Sequence, residues 1–170
     1  HVTSRCIERV KQALDNTEGA VMASARVTDP QGKDLFSYWT LLPLWKDLLD
    51  TGLITRRLFK DMLNTPPYRL PNAGDEGSRL VDAVPGSFFM LKPGLLTPQD
   101  IEGLFDSRIF LYYEEKVLGR KFQEMGLKTV LVTDESYVHA HSATIDKSLK
   151  RMVDKQRLLH QSKLYYYREY

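Results

Sequence analysis

At 170 residues the chain is long enough for one domain with a real core. Its 42% hydrophobic and 27% charged residues exclude a disordered chain, and no apolar run approaches the roughly 18 residues of a membrane-spanning helix. A net charge of +2 is too weakly basic to imply nucleic acid, and no nucleic-acid partner is expected.

Residues 2–16 carry apolar side chains near helical spacing, at Val2, Cys6, Ile7, Val10, Ala13 and Leu14, and predict an amphipathic helix stopped by Gly19. Ala20 to Val27 predicts a strand, ended by the turn residues Asp29-Pro30-Gln31-Gly32. A helix feeding a strand points to α/β architecture. Pro43 and Gly52 divide the next apolar stretch into two short helices, 43–50 and 54–63. The Pro- and Gly-rich segment 64–78 predicts a long loop, either a lid over a site or a plain surface excursion.

Val81 to Leu91 predicts a strand interrupted at Pro85-Gly86, where a kink or a close ligand approach is expected. Thr97-Pro98-Gln99-Asp100 predicts a helix start, with Thr97 capping and Asp100 suiting the dipole. Glu114 to Met125 predicts a helix stopped by Gly126. Lys128–Thr133 and Tyr137–His141 predict two short strands around an Asp134-Glu135 turn. Residues 146–170 predict a basic helix with an aromatic end. The one cysteine, Cys6, cannot form an internal disulfide; it is expected to be a small buried thiol in a reducing, cytoplasmic compartment. No apolar leader is visible after His1.

The chemistry-bearing residues concentrate in 81–142. Glu114 and Glu115 open a helix behind Phe110-Leu-Tyr112-Tyr113. Adjacent helical positions point about 100° apart, so one acid is expected to face a given pocket. Acids also suit a first turn through the dipole alone. The aromatic residues can wall a cleft and raise a carboxylate's pKa by desolvation, which suits a general base. His139 and His141 share a face if they lie on a strand, and imidazole is the commonest metal ligand. No third ligand in an obvious motif completes a zinc site, so a metal-dependent hydrolase is a distant reading.

Toward the C-terminus, Lys147, Lys150, Arg151, Lys155, Arg157, Lys163 and Arg168 outnumber Asp146, Asp154 and Glu169 by more than the whole chain's net charge of +2. Tyr165, Tyr166, Tyr167 and Tyr170 follow. Packing on the domain through Leu149, Met152, Val153, Leu159 and Leu164 is the expected main role. A basic, aromatic face seated on an anionic membrane is the secondary one.

Taken in order, Gly86-Ser-Phe-Phe-Met-Leu91, Leu104-Phe-Asp106, Phe110-Leu-Tyr-Tyr-Glu-Glu115, Gly126-Leu-Lys128 and Tyr137-Val-His-Ala-His-Ser142 resemble family 2 glycosyltransferases of the GT-A fold. The bacterial enzymes of surface-polysaccharide synthesis are the most similar. The likeness covers residues 81 to 170. It implies the C-terminal, acceptor-binding portion of a GT-A mixed sheet flanked by helices. It implies Glu115 as general base, with Glu114 beside it. It implies His139 as a ligand to a divalent ion, Mn or Mg, and to the nucleotide diphosphate. Gly86 and Ser87 are implied to line the acceptor side, with Tyr112 and Tyr113 beside them.

The implied partners are a nucleotide-diphospho-sugar and a saccharide or lipid-linked acceptor. Two departures stand out: the family pair is commonly Glu-Asp, and the sequence contains no Asp-x-Asp metal motif. The resemblance therefore leads us to expect half of a longer enzyme, inactive as cut, peripheral to the cytoplasmic face of a membrane. Self-association into a homo-oligomer is expected where the other half would pack. The alternative is a non-catalytic module that binds a membrane or a partner.

Overall fold

A computed structural model of the chain describes residues 1–51, 53–59, 77–109, 112–140 and 152–170. Its centre is a four-stranded mixed sheet. The strands are β1 (Ala20–Thr28), β2 (Ser78–Val81), β3 (Met90–Leu91) and β4 (Lys128–Val138), in the order β2-β4-β1-β3. β1 and β4 run parallel; β2 is antiparallel to β4, and β3 is antiparallel to β1. The helices are α1 (Ser4–Asn16), α2 (Leu44–Thr51), α3 (Leu53–Leu58), α4 (Pro98–Glu102), α5 (Glu114–Glu124) and α6 (Met152–Glu169). The α/β expectation holds.

The central strand is buried along almost its whole length, because helices cover both faces of the sheet. On one face, α1 presents Cys6, Val10, Ala13 and Leu14 to Ala20, Ala23, Ala25, Val130 and Val132. The small alanines of β1 let the helix lie close. Thr3 caps α1 by accepting the Cys6 N–H at 3.1 Å, so the helix starts at Ser4 rather than at Val2. On the other face, Leu118 and Phe122 of α5 meet Val21, Met22 and Leu131. Each fully buried Val or Phe there contributes about 1.5–3 kcal/mol. Burial pushes the Cys6 thiol up to about 11, aided by nearby Glu135, so it packs as a small apolar group.

Two strand expectations are corrected. Residues 81–91 do not form one strand. Val81 pairs with Thr129 of β4, whereas Met90 and Leu91 pair with Ala23 and Met22 of β1. Those pairings lie on opposite sides of the β4–β1 pair, so 82–89 must cross from one edge of the sheet to the other. That crossing places Pro85, Gly86 and Ser87 beside the start of α5. The second correction concerns Asp134-Glu135. Ala25 pairs with Val132 but the next residue, Arg26, pairs with Ser136, so the residues between are a bulge in one continuous β4 rather than a turn. Both acids of the bulge are tied to α1, Asp134 to Arg9 at 2.8 Å and Glu135 to Arg5 at 2.6 Å.

The capping expectation for α4 holds in full. Thr97 accepts the Asp100 N–H at 3.2 Å, and Asp100 accepts the Thr97 N–H at 2.8 Å. The loop expected from 64 lies mostly outside the described residues, as does the end of the second short helix.

Candidate functional site

Glu115 sits in the first turn of α5, half-buried under the crossing segment. Its Oε1 accepts the Gly86 N–H at 3.2 Å. A Cβ on residue 86 would stand 3.4 Å from that same oxygen, so a side chain there would press on the carboxylate. Burial, then the neighbouring Glu114 charge, push the Glu115 carboxyl up to about 6. Ser87, next along, shares a hydrogen bond of 2.7 Å with the Tyr137 hydroxyl at the far end of β4. The Phe88 carbonyl accepts the Ser24 hydroxyl at 2.7 Å. The crossing segment is thus pinned at three successive residues, to α5, β4 and β1. Gly86 and Ser87 thus lie next to Glu115.

Glu114 points elsewhere, as the 100° step between adjacent helical positions requires. It lines a cleft of about 240 Å³ with Leu104, Phe105, Asp106, Ile109 and Val117. Its Oε2 is buried with no hydrogen-bond partner among the described residues. Burial raises its pKa above the ordinary carboxylate value. The two acids are therefore split between two environments, both poorly hydrated.

The approach to α5 is strained. Tyr112 and Tyr113 hold φ of 64° and 70°, in the left-handed region. Such backbone in bulky residues costs about 1–3 kcal/mol each. What holds Tyr113 there is visible: its hydroxyl donates to Asp47 Oδ2 at 2.6 Å, and Lys116 stands 4.4 Å from its ring centre. Tyr113 is only 9% exposed and Tyr112 packs partly buried against the same cluster. Tyr113 is thus the side chain that bolts the start of α5 to α2, and its hydroxyl is committed to that carboxylate.

Two carboxylates that sequence reading gave no role anchor this region. Asp47, buried on α2, receives the Tyr113 hydroxyl, the Tyr167 hydroxyl at 2.9 Å and the Lys163 ammonium at 3.2 Å, with Lys116 at 3.9 Å. Burial alone would raise its pKa, but Lys116, Tyr113, Lys163 and Tyr167 outweigh that and lower it. Asp106 receives Arg108 at 2.9 Å, Tyr165 at 2.7 Å and Tyr170 at 2.9 Å. Arg108 leads in holding its carboxyl well below the ordinary range.

The C-terminal helix packs on the domain as expected, with Leu159 against the Tyr113 cluster, but the side chains that hold it differ from those expected. Tyr165, Tyr167 and Tyr170 turn their hydroxyls to the body of the protein, and Tyr166 packs on Tyr113 with ring centres 5.4 Å apart. Lys163, counted with the basic face, is a buried partner of Asp47. Leu164, expected to pack inward, is 70% exposed. The helix docks through its tyrosines because carboxylates await them. Leu149, Met152 and Val153 have side chains outside the described residues.

His139 lies just beyond β4, where its N–H donates to the Thr28 carbonyl at 2.9 Å. His141 lies outside the described residues. Among the described residues, no three of His, Cys, Asp or Glu converge to hold an ion. Among the described residues, the donors around His139 do not make a complete metal centre. None of the described helices is long and apolar enough to cross a membrane.

Sequence reading gave no role to Asp47, Asp106, Lys116, Ser24 or Tyr137, although Asp106 and Tyr137 lie in the segments that carry the resemblance. The available signal was faint: an acid inside an apolar helix, and four tyrosines needing partners. No protein-family model, no curated protein and no solved structure matches this chain.

Proposed function

We propose that this chain is the acceptor-binding, general-base portion of an inverting glycosyltransferase, of family 2 and the GT-A fold. It would serve transfer from a nucleotide-activated sugar to a saccharide or lipid-linked acceptor in surface-polysaccharide synthesis. The observation that carries the reading is Glu115: a carboxylate pushed up to about 6, oriented by the Gly86 N–H and next to Ser87. The sequence resemblance supplies the class of reaction, and this geometry supports Glu115 as its base.

In the reaction, an acceptor hydroxyl oxygen attacks the anomeric carbon of the donor. The new C–O bond forms on the face opposite the breaking bond to the nucleotide diphosphate, which leaves with the bonding electrons. Glu115 takes the hydroxyl proton as that bond forms. A carboxylate near 6 is a stronger base than an ordinary one near 4.3 and is still mostly ionised at neutral pH. The Gly86 N–H keeps the carboxylate in one orientation, so its alignment is prepaid. Glutamate in place of the family's usual aspartate reaches one methylene further, and here its Oε1 accepts the Gly86 N–H. His139 stands in this reading as a contact to the diphosphate, and as at most one ligand of any divalent ion.

The test is Glu115→Gln in the full-length protein. Release of nucleotide diphosphate from a panel of nucleotide sugars should fall to background, while calorimetric donor binding stays unchanged. Near-normal turnover in this variant would overturn the assignment.

A further inference from the structure

The helices that carry Asp47 inward turn an apolar face outward. On α2, Leu44 is 46% exposed, Trp45 52% and Leu48 53%; on and just after α3, Ile54 is 75% exposed, Leu58 74% and Phe59 41%. Large side chains clustered this way on two consecutive short helices mark a surface that is covered in use. The spacing is helical, Leu44 with Leu48 and Ile54 with Leu58, so each helix shows one apolar stripe. The same helix is secured by the bonds of buried Asp47 to Tyr113, Tyr167 and Lys163, so the stripe is displayed by a fixed element.

We propose that this α2–α3 face seats on an anionic lipid bilayer. Three observations select a bilayer as the occupant. The first is charge. Of the charged side chains described on these helices, Lys46 is half-exposed and Arg57 exposed, whereas Asp47 is turned inward onto Lys163, so the charges on the outer side are cations. Cations flanking an apolar stripe match an anionic headgroup layer. The second is Trp45, half-exposed with the Lys46 ammonium 5.4 Å from its ring centre. An indole with a cation beside it suits the headgroup boundary, where one end is apolar and the other wet. The third is size: α2 and α3 have 8 and 6 residues, too short to cross a bilayer and suited to lying along one. This surface replaces the C-terminal tyrosines as the membrane contact, since those face the protein. It stands independently of the proposed transferase activity.

The experiment uses the full-length protein and sedimentation with large vesicles, either phosphatidylcholine alone or phosphatidylcholine mixed with phosphatidylglycerol. The protein should pellet with the mixed vesicles, and much less with phosphatidylcholine alone or at high salt. Trp45→Ser with Leu48→Ser should lower the partition coefficient at least about tenfold, because each buried methylene counts about 0.8 kcal/mol. Lys46→Glu with Arg57→Glu should remove the preference for the anionic lipid. All four positions are exposed or half-exposed, so the variants should keep the wild-type circular dichroism and donor binding. Failure of the wild-type protein to pellet would overturn the proposal. So would unchanged binding in the Trp45/Leu48 variant, or a self-association that this variant abolishes while vesicle binding persists.

Discussion

Replacing Asp47 by Asn tests the keystone of the region around the candidate base. The carboxylate gathers Tyr113 from the start of α5, Tyr167 and Lys163 from α6, and Lys116 from the first turn of α5. The Lys163 and Asp47 side chains are 8% and 6% exposed, so the charge that would be left behind is buried. Removing one member of a buried pair costs about 3–5 kcal/mol. Asparagine still offers an acceptor oxygen to a tyrosine, and Lys163 keeps its bond to the Asp47 main-chain carbonyl at 2.5 Å. The lower part of that range therefore applies, about 3 kcal/mol. For a chain of this size that lowers Tm by roughly 6–12 °C. Urea unfolding followed by circular dichroism gives the free energy directly.

The loss should depend on pH. The folded pKa of Asp47 is depressed, so its contribution is complete above the unfolded value of about 3.9 and disappears as pH falls through the lower folded value. The gap between wild type and variant should close in acid. Adding Lys163→Met to Asp47→Asn should recover at least about 1 kcal/mol, because an apolar side chain does not need the missing anion. A single variant within about 0.5 kcal/mol of wild type, the range of an ordinary surface change, would refute the reasoning.

Tyr113→Phe should cost about 1.5–3 kcal/mol, the value of a hydrogen bond to a charged group, measured by the same unfolding curves. Gly119→Ala should destabilise by about 1–3 kcal/mol despite alanine's better helix propensity, since its Cβ would overlap the Asp82 carbonyl oxygen; a neutral urea midpoint would mean α5 does not lie that close. Glu115 has a raised folded pKa, so ionising it costs stability as pH rises from the unfolded value toward about 6. Glu115→Gln should therefore be more stable than wild type at neutral pH and indistinguishable from it in acid, by thermal unfolding at both pH values. Under the proposed function, transfer by the full-length protein should rise with pH through about 6 and then level off, and a flat profile across that region would count against Glu115 as base.

Local chemistry is what the sequence by itself determined. The stripe of Cys6, Val10, Ala13 and Leu14 defines α1, and the Thr97–Asp100 pair defines the start of α4, because caps and amphipathic spacing act within one or two turns. The order Gly86, Glu114–Glu115, His139 was also legible, whereas the contact of Gly86 with Glu115 came from the fold. Tertiary structure decided the rest. Val81–Leu91 has the composition of a strand, yet its two ends pair with different neighbours, and strand pairing is a long-range choice that composition does not encode. Periodicity shows that α2 is amphipathic, but which side is buried depends on what waits there. Tyr113, Tyr167 and Lys163 draw Asp47 inward and leave Leu44, Trp45 and Leu48 outside. The same holds for the four tyrosines at the C-terminus. Tyr165, Tyr167 and Tyr170 are directed by Asp47 and Asp106, between about 60 and 120 residues away in sequence, because a buried hydroxyl must find an acceptor wherever the fold supplies one, and Tyr166 by its packing on Tyr113.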